Sequence, residues 1–394
     1  MFLKSIRIQH YKSLADVDLS GLKPITLLTG RNAVGKSNVV DALKFLRDIA
    51  AHGLDHAMSE RGGIGIVRQY AVRKPYKINI SVCFEQSFEN GLKEGSYGIT
   101  IASLSQGNYC VESETCVWWE SEHVFDDDNQ FVEFGAEKFS FSRKSDSILK
   151  FASDSETFKL PKDVAALSIR WRQRPQELIR FFSDFSFSTI YPNTLREPAR
   201  PNIDRVLKEN GENWASVLKS LRKTSKGKQS FERIMEMMQV VVPSLKEVNV
   251  KSVGGFLVPQ FRFSDDINAK AHDFDPVQLS DGTLRVFGIL LSLYQNPPPP
   301  FLAIEEPEQT IHPAMLAVLA EAFREVSEQT QIFVTSHSPH FVDYFDPDEI
   351  RVVFMKQGKT HITGIHHAQL EAIKENLMSL KELMSAEGLL PEDV

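Results

Sequence analysis

Eight residues near the start of the chain have the types and spacing needed to hold a triphosphate. Residues 30–37 read GRNAVGKS, which matches the pattern G-x-x-x-x-G-K-S. Gly30 and Gly35 let the backbone turn tightly and bring its N–H groups to phosphate oxygens, whereas Lys36 can reach the terminal phosphates. The Ser37 hydroxyl suits a Mg²⁺ ligand. The predicted nucleotide-binding residues are Gly30, Arg31, Asn32, Ala33, Val34, Gly35, Lys36, Ser37 and Asn38.

Two adjacent carboxylates follow an apolar run later in the chain. The stretch FLAIEEPEQTIHP begins with a predicted strand over Phe301–Ile304 and continues with Glu305 and Glu306. Open α/β sheets bind their ligands at the carboxyl ends of the strands. One carboxylate at such an end can hold Mg²⁺, directly or through water, and the next can align and deprotonate an attacking water.

A histidine ends the next apolar strand, in QIFVTSHSP, where it can sense or polarise a terminal phosphate. A lone histidine is more often structural than catalytic, but this one comes after a phosphate loop and a pair of carboxylates. The combination predicts triphosphate hydrolysis. Its predicted catalytic residues are Glu306, His337 and Lys36, and its predicted metal ligands are Ser37 and Glu305.

A Ser-Asp-Gly turn opens the apolar helix predicted in VQLSDGTLRVFGILLSLY, about 25 residues before the carboxylates. Two interpretations of this turn stay open. Ser280 is a good helix N-cap by its chemistry alone. At its place before the carboxylate strand, the turn also resembles the signature motif of ABC-type ATPases, which would make Ser280, Asp281 and Gly282 a second phosphate-contacting element.

The elements predicted around these motifs belong to an α/β fold. The apolar run PITLLT predicts a buried strand before the phosphate loop, and SNVVDALKFLRDI has helical spacing after it, so the loop leads into a helix N-terminus that favours anions. Residues 1–75 and 275–394 are predicted to form the two halves of one core. Residues 76–160 predict an antiparallel β subdomain, and residues 161–274 a helical insertion with a hairpin at Gly254–Gly255.

Composition restricts the class of protein further. The chain has 394 residues, 42% hydrophobic and 25% charged, which is typical of a soluble protein with more than one subdomain. Its net charge of −7 argues against a wholly basic nucleic-acid-coating protein. Its three cysteines form no C-x-x-C pair, so neither a zinc hook nor a disulfide framework is indicated. Without a signal peptide or an apolar run of about 18 residues, we expect a cytoplasmic protein with no membrane contact.

The set of motifs resembles ABC-type ATPases of the RecF/SMC/OLD group. LSDGT stands where that superfamily commonly has LSGGQ. The chain is most similar to compact bacterial predicted ATPases, often described as AAA family ATPases, which share a start like this one and stretches resembling YPNTLREPARP and NGENWASVL. The resemblance covers roughly the first 60 and the last 120 residues. It implies an ABC-ATPase head with a phosphate-loop core of mixed and parallel sheets.

The resemblance also implies roles for the residues. Two chains would sandwich two ATP molecules with Mg²⁺, and Ser280 and Gly282 of one chain would cover the γ-phosphate bound by the other. Glu305 would hold Mg²⁺, Glu306 would be the general base and His337 the switch histidine. The residue of the Q-loop is expected around Asn193–Arg196, with Gln69 and Gln86 as alternatives.

Two features of the group have no counterpart in this sequence. No sustained heptads separate Lys36 from Ser280, and only 57 residues follow His337, so we expect neither a long coiled coil nor a fused nuclease. These 57 residues are expected to form a strand or two and a terminal helix over about residues 369–387. The resemblance implies a homodimer or higher even-numbered oligomer that controls a separate effector, such as a nuclease or toxin, as in bacterial anti-phage systems. The alternatives are an ATP-locked scaffold with little turnover and a RecF-like ATPase that acts directly on DNA.

Two basic stretches could contact DNA through phosphate neutralisation and base stacking. Solvated helix faces with both charge signs nearby are the favoured alternative. The stretches consist of Arg170, Trp171, Arg172, Arg174 and Arg180, and of Lys219, Arg222, Lys223, Lys226, Lys228 and Arg233. A further acidic cluster is read as a solvated turn and comprises Glu120, Glu122, Asp126, Asp127 and Asp128.

Overall fold

The computed structural model describes residues 1–70, 76–88, 91–125, 131–144, 148–151, 157–169, 176–203, 206–264 and 271–392. Its strands are β1 (Phe2–Tyr11), β2 (Leu14–Leu19), β3 (Ile25–Thr29), β4 (Ile78–Phe88), β5 (Gly91–Ser103), β6 (Tyr109–Phe125), β7 (Phe131–Arg143), β8 (Ile148–Phe151), β9 (Thr157–Lys159), β10 (Ser186–Ser188), β11 (Leu245–Val253), β12 (Phe256–Phe263), β13 (His272–Phe274), β14 (Phe301–Glu305), β15 (Gln331–Ser336), β16 (Ile350–Lys356) and β17 (Lys359–Thr363). Its α-helices are α1 (Lys36–His52), α2 (Leu54–Ser59), α3 (Ile64–Val67), α4 (Gln176–Ser183), α5 (Pro192–Arg196), α6 (Trp214–Leu221), α7 (Ser225–Val241), α8 (Asp281–Leu293), α9 (Pro313–Val326), α10 (Pro339–Val342), α11 (His367–Lys374) and α12 (Leu380–Ala386).

One large mixed sheet organises the molecule. Its strand order among the described residues is β10-β14-β15-β3-β16-β17-β2-β1-β4-β5-β6-β7-β8-β9. The pairs from β10 to β16 are parallel, and β16 pairs with β17 in the antiparallel direction. Parallel strands are buried on both faces by the helices that connect them. The all-buried sequence of β3, ITLLT, satisfies that requirement.

Strand β3 lies between two strands that are distant from it in the chain. Leu27 faces Val334 of β15 on one side and Ile350 of β16 on the other. The phosphate-loop strand is therefore completed by residues more than 300 positions later. The predicted α/β fold, whose core combines both ends of the chain, is confirmed.

The antiparallel region predicted for residues 76–160 is present as β4 to β9. Its strands pair in succession, and β4 also pairs with β1, which joins this region to the core sheet. The buried rings of Tyr97 and Phe182 lie 5.8 Å apart, so helix α4 packs on this region. The acidic cluster that the sequence suggested falls on residues 126–128, outside the described residues, and on Glu120 and Glu122, whose side chains are also outside them.

The predicted hairpin and helical insertion are also present. Strands β11 and β12 pair around Gly254 and Gly255, whose φ angles of 55° and 83° suit the tight hairpin turns that favour glycine. Helices α4 to α7 precede this hairpin. Short strand β10 interrupts them and forms one edge of the main sheet.

The single terminal helix predicted around residues 369–387 is wrong, because the structure has α11 and α12 there. Asn376 adopts a left-handed φ of 56° just after α11. Ser379 then starts α12 with a capping box, in which its side chain accepts a hydrogen bond from the N–H of Glu382. The left-handed residue Asn376 and the capping box at Ser379 thus divide the stretch that had been predicted as one helix. None of the helices in the described part of the chain has the length and apolar character to cross a membrane.

Candidate nucleotide and metal site

The phosphate loop connects the carboxyl end of β3 to the N-terminus of α1. A Cβ atom on Gly30 would lie 2.1 Å from the carbonyl oxygen of Val353, and one on Gly35 would lie 2.2 Å from Oγ1 of Thr360. Gly35 also has a φ of 106°, in a region that L side chains rarely adopt. Both positions therefore need glycine, because β16 and β17 pack so closely against one side of the loop that a Cβ atom would not fit.

Lys36 lies with its amine inside this loop. Its Nζ donates to the carbonyl oxygens of Gly30 at 2.7 Å and Arg31 at 3.0 Å. Burial lowers the pKa of Lys36, while the nearby carboxylates of Glu306 and Glu308 act in the opposite direction. The lysine is therefore held at the loop, where incoming phosphate oxygens could replace the two carbonyl groups as acceptors.

Ser37 and Glu305 meet at the other side of the loop. The Ser37 hydroxyl donates to Oε2 of Glu305 at 2.5 Å. Burial raises the pKa of Glu305, and this effect outweighs the hydrogen bond from Ser37, which lowers it. A hydroxyl and a carboxylate side by side are hard oxygen donors of the kind that Mg²⁺ takes beside a triphosphate. The pair therefore fits the predicted metal site, in which these two residues would hold the ion.

Glu306 occupies a turn immediately after β14. Its φ is 45°, a left-handed conformation that is uncommon outside glycine. Its N–H donates to the carbonyl oxygen of Thr335 at 2.9 Å, and its own carbonyl accepts from Nη2 of Arg285 at 2.9 Å. Nδ1 of His337 lies 3.5 Å from Oε1 of Glu306. The predicted base and the predicted switch histidine are therefore neighbours, brought together by the parallel pairing of β14 with β15.

Sequence reasoning missed Glu308, which lies in the same turn. Its side chain is only 6% exposed. Its Oε1 accepts hydrogen bonds from the Ser336 hydroxyl at 2.6 Å and from the N–H of His337 at 3.1 Å. The motif Glu-Glu-Pro-Glu contains this residue, but nothing in the spacing distinguishes a buried carboxylate at the fourth position from a solvated one.

The predicted second phosphate-contacting element starts α8. Ser280 is the N-cap of this helix, since its Oγ accepts from the N–H of Thr283 at 3.2 Å. Asp281 pairs with Arg196 at 2.5 Å. A Cβ on Gly282 would lie 2.9 Å from the carbonyl oxygen of Thr310, so α8 packs tightly on the turn after Glu306.

The hydrogen bonds and ion pairs of the described residues connect neither Ser280 nor Gly282 to the phosphate loop of the same chain. The N-cap interpretation is confirmed. The role opposite a second chain stays a prediction.

The three alternatives for the Q-loop occupy different places. Gln86 is buried in β4 and bonds to the backbone of Trp119, and Gln69 contacts His10. Asn193–Arg196 lie in α5, where Nη2 of Arg196 donates to the carbonyl oxygen of Leu279 at 2.9 Å. The loop between β10 and α5, rather than these residues, lines a cavity of about 500 Å³ beside Glu305. The remaining residues around this cavity are Thr189, Tyr191, Lys208, Glu209, Asn210 and Glu212.

Three polar side chains that the sequence did not connect, those of Ser13, Asn38 and Thr360, form a hydrogen-bonded group that contacts the phosphate loop. Thr360 Oγ1 donates to the carbonyl oxygen of Val34 at 2.8 Å and lies 2.7 Å from Oγ of Ser13. Asn38, predicted to bind nucleotide, donates from Nδ2 to Ser13 Oγ at 2.7 Å. Residues so far apart in the chain carry no shared sequence signal, because only the β17–β2 pairing brings them together.

The basic stretches divide into engaged and free side chains. Arg222 bonds to Asn249 and to the carbonyl oxygen of Val248 and lies over Phe231. Arg233 pairs with Glu236, Glu321 and Glu325. Both arginines are engaged in contacts within the fold, which favours the alternative of helix faces with both charge signs nearby. Lys219, Lys223, Lys226 and Lys228 are exposed and form no ion pair with another described residue. The other stretch largely lies outside the described residues, at Arg170, Trp171, Arg172 and Arg174, whereas Arg180 is described and exposed.

A phosphate loop between a central parallel strand and a helix, a histidine at the end of the neighbouring strand and carboxylates at the end of the next define an ABC-type ATPase head of the RecF/SMC group. A family profile described as "AAA domain, putative AbiEii toxin, Type IV TA system" matches residues 25–343. The chain belongs to this family.

Curated relatives match short segments. The DNA replication and repair protein RecF of Thermosynechococcus vestitus is 36% identical over 52 residues, which are 13% of this chain and 14% of that protein. RecF of Streptococcus thermophilus strain LMD-9 is 31% identical over 88 residues, 21% of this chain and 24% of that protein. The chain thus spans less than a quarter of the length of these relatives.

Solved structures match over most of the chain. An Smc head bound to the C-winged helix domain of ScpA has a TM-score of 0.56 at 12% identity and covers 94% of this chain and 100% of its own. An Smc head with an extended coiled coil, bound to the C-terminal domain of ScpA derived from Pyrococcus furiosus, has a TM-score of 0.52 at 12% identity and covers 95% and 99%. At these identities the matches show the fold alone.

Proposed function

We propose that this chain binds and hydrolyses ATP with Mg²⁺, and that two copies close on two ATP molecules to control a partner effector. The observation that carries this proposal is the convergence of Ser37, Glu305, Glu306 and His337 at the ends of β14 and β15. Ser37 Oγ lies 2.5 Å from Glu305, and His337 Nδ1 lies 3.5 Å from Glu306. Side chains of the types used in phosphoryl transfer therefore lie together at the carboxyl ends of neighbouring strands, and this supports the proposal.

In this proposal the residues divide the work by position. The loop amides and Lys36 bind the phosphates, and Ser37 with Glu305 holds Mg²⁺, which would neutralise charge on the triphosphate. Glu306 accepts the proton of the attacking water. His337, beside that carboxylate, donates to the γ-phosphate. Such groups accelerate hydrolysis when the protein holds them in the correct orientation around the substrate.

Closure of two copies accounts for the exposed start of α8. Ser280 caps this helix but contacts no part of its own phosphate loop through a described hydrogen bond. A second chain would place the N-terminus of α8 against the γ-phosphate, where its free N–H groups favour negative charge. The family description, "AAA domain, putative AbiEii toxin, Type IV TA system", supports a role in anti-phage defence or a related response.

The solution mass of Glu306→Gln, measured by light scattering with and without ATP and Mg²⁺, tests the proposal. Blocked hydrolysis should trap the closed dimer, so that ATP doubles the mass. Adding Ser280→Arg should abolish that change, because the longer cationic side chain obstructs the interface. A protein that stays monomeric with bound ATP would contradict closure, and wild-type turnover no faster than that of Glu306→Gln would favour an ATP-locked scaffold.

Direct action on DNA is the second candidate, and the exposed lysines on α6, on α7 and in the turn between them favour it. Lys219, Lys223, Lys226 and Lys228 lie within ten residues of one another, and no described carboxylate pairs with them. Lysines of this kind neutralise phosphates and release counterions. In this version the ATP cycle would open and close a DNA-binding surface.

Salt-dependent binding of duplex DNA tests this candidate. Replacing Lys223, Lys226 and Lys228 with Glu should weaken binding and make the slope of log K against log salt shallower by about 3, since each lost phosphate contact contributes about 0.9. The same charge change at the exposed residues Lys144, Lys150 and Lys159 of the antiparallel region serves as the control. If both triple variants lose the same DNA affinity, the effect depends on net charge alone, and these lysines do not form a DNA-binding surface.

A further inference from the structure

Two oppositely charged side chains beside the candidate site are buried with one atom each unsatisfied. Oε2 of Glu308 and Nε of Arg285 have no hydrogen-bond partner among the described residues. Glu308 is 6% exposed at its side chain and Arg285 is 3% exposed. Leaving a buried polar group unpaired is destabilising by about 1–3 kcal/mol, and more when the group is charged. Two such atoms in one place therefore require an explanation.

The bonds that Glu308 already makes do not need its charge. Its Oε1 accepts from Ser336 and from the N–H of His337. A glutamine could accept the same two bonds and would bury no anionic oxygen. The negative charge of Glu308 is therefore expected to take part in a second interaction, in addition to the bonds that hold the end of β15.

Arg285 is the cation placed to use that charge. Burial lowers the pKa of Arg285, and among the groups that act in the opposite direction Glu308 has the largest effect. The arginine lies on α8, five residues after Ser280, and Nη2 already holds the carbonyl oxygen of Glu306 at 2.9 Å. The same helix contacts the turn again where Gly282 meets the carbonyl oxygen of Thr310.

The turn between these contacts is held in uncommon backbone conformations. Glu306 has a φ of 45° and Thr310 a φ of 62°. Left-handed conformations of such residues persist only where the surroundings impose them. A displacement of α8 is therefore transmitted to this turn, and through Glu308 to His337.

We propose that Arg285 and Glu308 are positioning residues that form a direct ion pair when α8 is drawn onto a nucleotide. The new bond joins Nε of Arg285 to Oε2 of Glu308, and it fixes Glu306 and His337 in their hydrolytic positions. This inference rests on the proposed function. It adds that hydrolysis waits for a movement of the helix that carries Ser280.

A double-mutant cycle tests the coupling. Glu308→Gln keeps the two bonds of Oε1. Arg285→Lys removes Nε, whereas the lysine amine can still donate to the carbonyl oxygen of Glu306. Each variant should lower turnover at saturating ATP at least tenfold and change the affinity for fluorescent ATP less than twofold, because no described hydrogen bond joins either side chain to the phosphate loop. The double variant should be no more than twofold slower than the slower single variant, since both remove one bond.

Hydrogen exchange supplies a readout that is independent of turnover. In the wild type, ATP should protect the amides of residues 306–312, and both single variants should lose this protection. Glu349→Gln and Arg324→Gln serve as matched controls, because they break a partly buried ion pair remote from the site. These two controls should lower the melting temperature without changing either readout.

Each outcome bears on a different claim. Three outcomes would contradict the ion pair. In the first, the double variant loses turnover by the product of the two single losses. In the second, Glu308→Gln turns over ATP normally, and in the third, ATP still protects the amides in both single variants. If the control variants also lose turnover and amide protection, these losses reflect lower protein stability and not the ion pair. A wild type that binds no ATP would overturn the proposed function itself, and with it this inference.

Discussion

At the residue scale, the glycines of the phosphate loop show most directly how the rest of the fold constrains the site. Gly30 approaches the backbone of Val353 so closely that a Cβ would lie 2.1 Å from the carbonyl oxygen. A backbone oxygen cannot rotate away as the end of a side chain can. The loop and β16 must therefore separate to admit even one methyl group.

Gly30→Ala is expected to lower the free energy of unfolding by about 1–3 kcal/mol through overpacking. Urea denaturation of the nucleotide-free protein measures this directly. Gly65→Ala is the control, since a Cβ at Gly65 meets nothing within 4 Å and alanine is the better helix former. A variant as stable as the wild type would show that β16 does not confine the loop.

The pKa of Glu305 gives a second prediction at this scale. Burial raises it above 4.5, so the folded protein keeps a proton that the unfolded chain has already lost. Because the folded state then binds more protons, the free energy of unfolding should fall as pH rises from 4.5 through the folded pKa. Glu305→Gln cannot titrate and should show a smaller fall. Urea denaturation in Mg²⁺-free buffer between pH 4 and 7 compares the two slopes, and parallel curves would contradict the prediction.

At the element scale, helix boundaries follow from individual caps. Thr224 precedes α7, and its side chain accepts a hydrogen bond from the N–H of Gly227 at 3.1 Å. The same oxygen accepts from Nδ2 of Asn296 at 3.1 Å, which connects α7 to the segment before β14. This cap therefore joins the helical insertion to the core.

Thr224→Ala is expected to cost about 1 kcal/mol of unfolding free energy, because one free N–H of α7 loses its acceptor. The neighbouring Ser225→Ala removes a hydroxyl from an exposed position with no capping role and should have little effect. Chemical denaturation of both variants gives their free energies of unfolding and the slopes of the transitions. Comparing them distinguishes the loss of the cap from the loss of any exposed hydroxyl. Equal stability of the two variants would contradict the cap.

Much at this scale was predictable from the sequence, for reasons of local chemistry. The strands on either side of Gly254–Gly255, the strand–loop–helix at Gly30–Ser37 and the cap at Ser280 all depend on neighbours in the chain. The division of the C-terminal segment into α11 and α12 was missed, although the Ser379 capping box is a local signal. The contacts of Glu308, Arg285 and Thr360 could not be predicted, because each depends on strands or helices that are paired across long distances.

At the scale of the whole molecule, Gln331 connects three segments of the sheet. Its buried side chain accepts from the N–H of Leu3 at 2.8 Å and donates to the carbonyl oxygens of Leu3 at 2.9 Å and Lys23 at 3.2 Å. One amide therefore joins β1, the segment before β3, and β15. The two ends of the chain form a single structural unit at this position.

Gln331→Leu is expected to lower the free energy of unfolding by at least 1–3 kcal/mol, because it leaves buried backbone groups of Leu3 and Lys23 without partners. The exposed Gln329→Leu is the control. Calorimetry should show one shifted transition for Gln331→Leu, as expected if the two ends unfold together. A separate transition for the N-terminal strands would contradict the single unit.

The position of β3 between β15 and β16 also has a consequence for biosynthesis. When the ribosome has made the phosphate loop, neither neighbour of its strand exists, and the second is complete only after Lys356. At about 5–20 residues per second, roughly 15–60 seconds pass between the two events. During that time the apolar strand ITLLT has no partner in its own sheet. The candidate nucleotide site therefore forms only after β15 and β16 have been synthesised, whereas β1 and β2 can pair with each other much earlier.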